Sequence, residues 1–172
     1  MTELVIPGVG RRMASLFYEL LLLVAVLLGG SALLTPLKAV LPPDMLTETL
    51  FRVLLAAVLF AYLGLSWVKS GQTVGMKTWR LKLVDRNGIL LRWPHALLRY
   101  LVALALFVGV PAVAYLVWAP LMSSLPRALG AALAWWLLPI ASAFIDPERL
   151  FLHDRLAGTR VVLLPLRRPK AA

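Results

Sequence analysis

The chain has 172 residues, 61% of them apolar and only 15% charged, and carries a formal net charge of +10. Soluble domains run at about 45–50% apolar residues, so a one-domain chain of this composition needs lipid to cover part of its surface. There are no cysteines and only two histidines, His95 and His153. Disulfides, thiolate catalysis and cysteine-ligated zinc or iron–sulfur clusters are excluded, a histidine-rich metal site has no support, and no cofactor is expected.

The first apolar block runs from Met13 to Leu34, with Glu19 its only charge. A cleaved signal peptide is the competing reading, since Arg11 and Arg12 precede the block and small residues follow at 29–32. The run is long for a signal sequence and holds a carboxylate, which favours a membrane span at about 13–34. Pro36, Pro42 and Pro43 are expected to rule out a continuous helix over 35–50. Asp44 and Glu48 keep that connection near neutral. A second, short span follows at about 53–68, where Ala57 and Ala61 form a small pair suited to close helix packing.

A basic module is expected over 69–99. Gly71-Gln72-Thr73-Val74-Gly75-Met76-Lys77 has the residue types of a phosphate loop, but its order and spacing fail the Walker pattern and it follows a membrane helix instead of a strand. A tight turn is the simpler reading. Trp79 to Val84 alternates apolar and basic residues, then Asn87-Gly88 precedes Ile89-Leu90-Leu91. Asn-Gly between such runs predicts a type I′ hairpin.

Tyr100 to Pro126 is uncharged, and the third span is placed at about 100–121. The fourth lies at about 128–145, with Gly130 and Ala134 as a second small pair. Pro111 and Pro139 predict kinks whose freed carbonyls a neighbouring helix satisfies; broken helices lining a cavity are the alternative. The C-terminal segment, 146–172, carries a strand candidate at 159–164, which adds a third strand to the hairpin. Arg167, Arg168 and Lys170 form a basic tail near anionic headgroups.

Fifteen of the 18 basic residues fall before span one, between spans two and three, or after span four; only Lys38, Arg52 and Arg127 fall on the other side. This asymmetry predicts that both termini are inside. With the basic residues set between apolar blocks, the matching anionic partner is a membrane surface, and nucleic acid is not expected.

Charges inside a membrane are costly and mark functional candidates. Glu19 is such a charge, with Arg12 on the same helical face about two turns earlier. That separation is too long for a good ion pair within the helix, so each is expected to find partners on another segment.

Arg12-x6-Glu19, Gly71-x-Thr73-x-Gly75 ahead of Leu81-Lys82-Leu83-Val84-Asp85, Asp146-Pro147-Glu148-Arg149, and Leu152-His153-Asp154-Arg155-Leu156-Ala157-Gly158-Thr159 together resemble the RDD family of membrane proteins over about residues 9 to 164. The resemblance assigns Arg12 to the family's arginine and Asp154 to its final aspartate. Glu19 stands where the first aspartate is usual, one methylene longer, and Met76 displaces the usual lysine to Lys77. Transport has been suggested for the family, including cation/proton exchange, while other members look like accessory subunits.

The expected fold is therefore an all-α, four-helix transmembrane bundle in one domain, 1–172, with a small cytoplasmic β-hairpin or three-stranded element. The expected location is a bacterial cytoplasmic membrane. The expected role is structural or accessory, around a network of Arg12, Glu19, Asp146, His153, Asp154 and Arg155. The alternative is a small cation/proton exchange subunit using Glu19. A second copy or other membrane subunits are the expected partners. No paired carboxylates, nucleophile motif or metal spacing supports an enzyme.

Overall fold

The computed structural model describes residues 6–122, 124–146 and 150–165. Four segments are long and apolar enough to cross a membrane: Val9–Val40, Met45–Lys69, Trp93–Trp118 and Leu125–Ile145. All four expected spans are present, and each starts earlier than the apolar blocks alone suggest.

Helix α1 (Val9–Val40) runs straight through Pro36. The helix is not broken at Pro36 itself, but no continuous helix covers 35–50, as expected. Proline leaves a carbonyl of the preceding turn without its usual partner. In that turn the Thr35 hydroxyl donates to the Ser31 carbonyl at 2.8 Å. The chain breaks only at 41–44, around Pro42 and Pro43. Asp44 then caps α2 (Met45–Lys69), its carboxylate accepting the Thr47 N–H at 2.7 Å. Glu48 and Arg52 thus lie inside the helix, and Lys38 pairs with Glu48 at 2.5 Å across the connection.

Span three is α4 (Trp93–Leu104), a π-helical turn (Ala105–Gly109) and α5 (Val110–Trp118). Pro94 in the first turn suits a helix start, because the N–H it lacks would have no helical partner there. Pro111 has no N–H for the carbonyls one turn back. One of these, Phe107 O, accepts the Trp136 indole N–H at 2.8 Å. A neighbouring helix thus satisfies the freed carbonyl. Span four is α6 (Leu125–Ala134) and α7 (Leu137–Ile145), joined at Trp135-Trp136.

The small pairs differ from expectation. Ala57, Ala61, Gly130 and Ala134 face outward, whereas Ala128 and Ala132 are buried. Gly30 of α1 provides the close approach to α2, where an added methyl group would meet Leu55 and Val58 at 3.5 Å.

A short helix α3 (Val74–Thr78) follows span two and leads into β1 (Leu81–Asp85). After span four come α8 (Leu152–Leu156) and β2 (Thr159–Leu163). β1 and β2 pair antiparallel, Leu81 opposite Leu163 and Asp85 opposite Thr159. Among the described residues the sheet has two strands, and Ile89–Leu91 does not return as a third. The Asn87-Gly88 turn is also not type I′, which needs two positive φ values; only Gly88 has one, at 79°. The Asp85 carboxylate holds the turn, accepting the Asn87 N–H at 2.8 Å and the Ile89 N–H at 2.9 Å.

The principal core lies where spans two and three meet the sheet. Trp67, Leu81, Leu83, Leu91, Ala96, Tyr100 and Val161 pack there. Elsewhere the spans expose their apolar side chains, among them Leu28, Leu33, Leu116 and Phe144. Pro147-Glu148-Arg149 and the basic residues Arg167, Arg168 and Lys170 lie outside the described residues.

Candidate functional site

The site forms at the end of the bundle that carries the sheet. Asp154 sits on α8 and is fully buried. Arg12, from the second turn of α1, donates through Nη2 to Asp154 Oδ2 at 2.7 Å. Arg99, from the middle of α4, donates through Nη1 to Asp154 Oδ1 and also to Thr159 Oγ1. The Thr159 hydroxyl in turn donates to the Asp154 carbonyl at 3.3 Å. One carboxylate thereby joins span one, span three and the C-terminal segment.

Aromatic faces line this ion cluster. The Arg12 guanidinium lies 4.4 Å from the Phe151 ring centre, and that of Arg99 lies 5.1 Å from the Trp67 ring. Both distances are within cation–π range. His153 stacks on Phe151 and meets Phe107 edge-on. Its Nε2 is 3.5 Å from Asp154 Oδ1.

The electrostatics follow from this geometry. Burial pushes the Asp154 carboxyl up, but the adjacent positive charges, Arg99 foremost, outweigh it and hold the pKa down at about 2. Burial drives the His153 pKa down to about 4 despite Asp154 beside it. Near neutral pH His153 is therefore uncharged, and the two arginines are what keep Asp154 ionised.

The sequence-predicted residues divide into three groups. Arg12, Asp154 and His153 come together. Asp146 and Arg155 form a more open pair beside them, at 2.6 Å, and Asp146 also acts on Arg12 through space. Glu19 lies apart, its Oε2 accepting the Gly75 N–H at 3.2 Å.

That contact explains the Gly71-x-Thr73-x-Gly75 spacing. Gly71 adopts φ 69°, and an added Cβ would sit 2.7 Å from the Leu83 carbonyl oxygen. Thr73 caps α3, its hydroxyl accepting the Met76 N–H. At Gly75 a Cβ would lie 2.7 Å from Glu19 Oε2 and 3.0 Å from the Ser15 carbonyl oxygen, so only glycine lets α3 approach α1 this closely. The segment is a turn and a docking helix whose Gly75 N–H serves Glu19.

Sequence reasoning missed Arg99, Thr159 and His95. The apolar block begins at Tyr100, so the sequence pattern puts Arg99 at the edge of the 69–99 module. The signal was Trp93-Pro94, which starts the helix earlier and puts Arg99 well inside it. His95 Nε2 lies 2.6 Å from the Ala157 carbonyl oxygen and must carry the proton, since a carbonyl only accepts. This bond ties α4 to the corner between α8 and β2. No group of three or more potential metal ligands occurs among the described residues.

The sequence model described as RDD family matches residues 6–158. No match was found among curated proteins or among solved structures.

Proposed function

This chain belongs to the RDD family, and from that premise we propose that it is a structural or accessory component of a membrane. Its buried charges fasten the spans to the segment that follows them. The observation carrying this reading is the closure of the cluster. Arg12, Arg99 and Asp154 are each no more than 4% exposed, and both Asp154 oxygens are taken by guanidinium groups. A carboxylate that must exchange ions or protons needs access to water; this one is buried and held ionised by two arginines. The reading is of a non-enzymatic component of a bacterial cytoplasmic membrane with both ends inside. It works beside a second copy or other membrane subunits, with its basic end toward anionic headgroups.

The test is thermal unfolding in detergent. Asp154→Asn is expected to lower the melting temperature strongly, and a variant as stable as wild type would overturn the reading.

One observation favours a second reading. Glu19 is buried beside the Tyr62 hydroxyl and the Gly75 N–H, with no ion-pair partner among the described residues. An intramembrane carboxylate without a counter-ion is a candidate for an ion pathway. On this reading Glu19→Gln abolishes proton or sodium flux in proteoliposomes; equal flux from wild type and the variant would remove Glu19 from any transport role.

A further inference from the structure

A cavity of about 340 Å³ opens beside the ion cluster; Asp154 lines it, and Arg12 and Arg99 are not among its lining residues. Its walls come from Arg86 in the turn after β1, Asp146 just past span four, Leu150 ahead of α8, and Arg155, Gly158, Thr159 and Arg160 around the corner between α8 and β2. Its volume falls within the range of small-ligand sites, about 300–1,000 Å³.

Three arginines, Arg86, Arg155 and Arg160, and two aspartates, Asp146 and Asp154, line this cavity. Asp154 also reaches the wall, but its two oxygens are bound by Arg12 and Arg99. Asp146 Oδ2 is bound by Arg155. Both carboxylates are thus already matched by guanidinium groups. Arg86 is exposed and has no ion-pair partner among the described residues. It lies against Gly158, where an added Cβ would be 3.5 Å from its Nε. Gly158 is in the left-handed region, at φ 64°, so the turn that brings Arg155 and Arg160 to the same cavity needs this residue. The exposed Arg86 guanidinium, with Arg160 and the remaining donors of Arg155 at the same opening, suits the oxygens of phosphate.

We propose that this cavity binds a phosphate group, carried either by an anionic lipid headgroup or by a small soluble phosphate. The exposed apolar residues Phe144 and Ile145 immediately precede Asp146, so an acyl chain has a surface beside the cavity. Basic pockets at the cytoplasmic ends of membrane helices are suited to such headgroups. The inference goes beyond the fastening role proposed above and does not depend on it.

The test uses the full chain in a non-ionic detergent. Native mass spectrometry measures retention of phosphatidylglycerol against phosphatidylcholine, and calorimetry measures inorganic phosphate against chloride at equal ionic strength. Arg86→Gln is compared with Arg92→Gln, which removes an exposed charge outside the cavity wall. Arg86→Gln is expected to weaken binding about tenfold, as for loss of one charged hydrogen-bonding group, and Arg92→Gln to leave it within about twofold. Phosphatidylglycerol binding alone identifies the lipid as the source, and inorganic phosphate binding identifies a soluble one. Wild-type affinity in Arg86→Gln, equal loss in both variants, or no preference for either anion would overturn the proposal.

Discussion

Asp154 is a charge that no neutral residue of the same shape replaces. Removing one partner of a buried ion pair leaves the other uncompensated, at a cost of about 3–5 kcal/mol. Asp154→Asn leaves two guanidinium groups in that position, so its loss in detergent unfolding is expected at the upper end of this range. His153 gives the same cluster a pH dependence of definite sign. Its folded pKa of about 4 lies below its ordinary 6.5, so the unfolded chain binds more protons between those values. Stability is therefore full above about pH 6.5 and falls as the pH drops toward 4. Asp154, at about 2 against an ordinary 3.8, adds a second loss only below about pH 3.8. His153→Gln should flatten the first slope and leave the second, as read by melting temperature from pH 7 to 3. An unchanged profile between pH 6.5 and 4 would assign the acid sensitivity to another group. Asp154 was legible in the sequence because it lies in a specific run, Leu152 to Thr159. Arg99 was not, because a charge at the edge of an apolar block looks like the end of a span until the helix start is located.

At the level of the elements, spans three and four are joined through a proline. Pro111 withholds an N–H, and Trp136 supplies one to Phe107 O from the other span. Trp136→Phe removes that donor and is expected to cost about 1 kcal/mol, in line with interhelical hydrogen bonds in membranes. In a Pro111→Ala background the backbone N–H returns, so the cost of Trp136→Phe should shrink. A double-mutant cycle by detergent unfolding measures this coupling; zero coupling would show that the indole N–H does not compensate for the proline. The prolines themselves were visible in the sequence, and a satisfied kink was the favoured expectation. The identity of the donor was not visible, since it depends on the rotation of span four. The sheet divides in the same way. Asp85 to Gly88 was legible as a turn, but a strand's partner is set by what packs on it. Gln72 donates to the Leu81 carbonyl and Leu83 donates to the Gly71 carbonyl, so the chain leaving span two braces β1 from its own side. β2 takes the other edge and leaves no ladder position for residues 89–91.

Across the whole molecule, the spans bury only 6–22% of their most apolar windows within the protein itself. Such surface is stable only against lipid, which is why composition alone was enough to identify the class. The number of spans was also legible, because each block is bounded by proline, glycine or charge. Arg12 of α1 meets Asp154, beyond span four, so the entry to the first span and the exit from the last lie at one end. An even number of crossings requires this, and the Lys and Arg distribution predicts that this end is the inner one. The absence of cysteine permits a direct measurement. Single cysteines at Asn87, in the turn after β1, and at Met122, between spans three and four, are expected to label from opposite sides of sealed, right-side-out vesicles. Asn87→Cys should react with a membrane-impermeant maleimide only after permeabilisation, and Met122→Cys before it. The reverse pattern would invert the topology while leaving the fold intact, and equal labelling of both sites from one side would break the four-span arrangement itself. The outcome also bears on the Arg86 cavity, because Arg86 and Asn87 are neighbours in one turn. If Asn87 is inside, the cavity faces the leaflet whose anionic lipids attract basic segments.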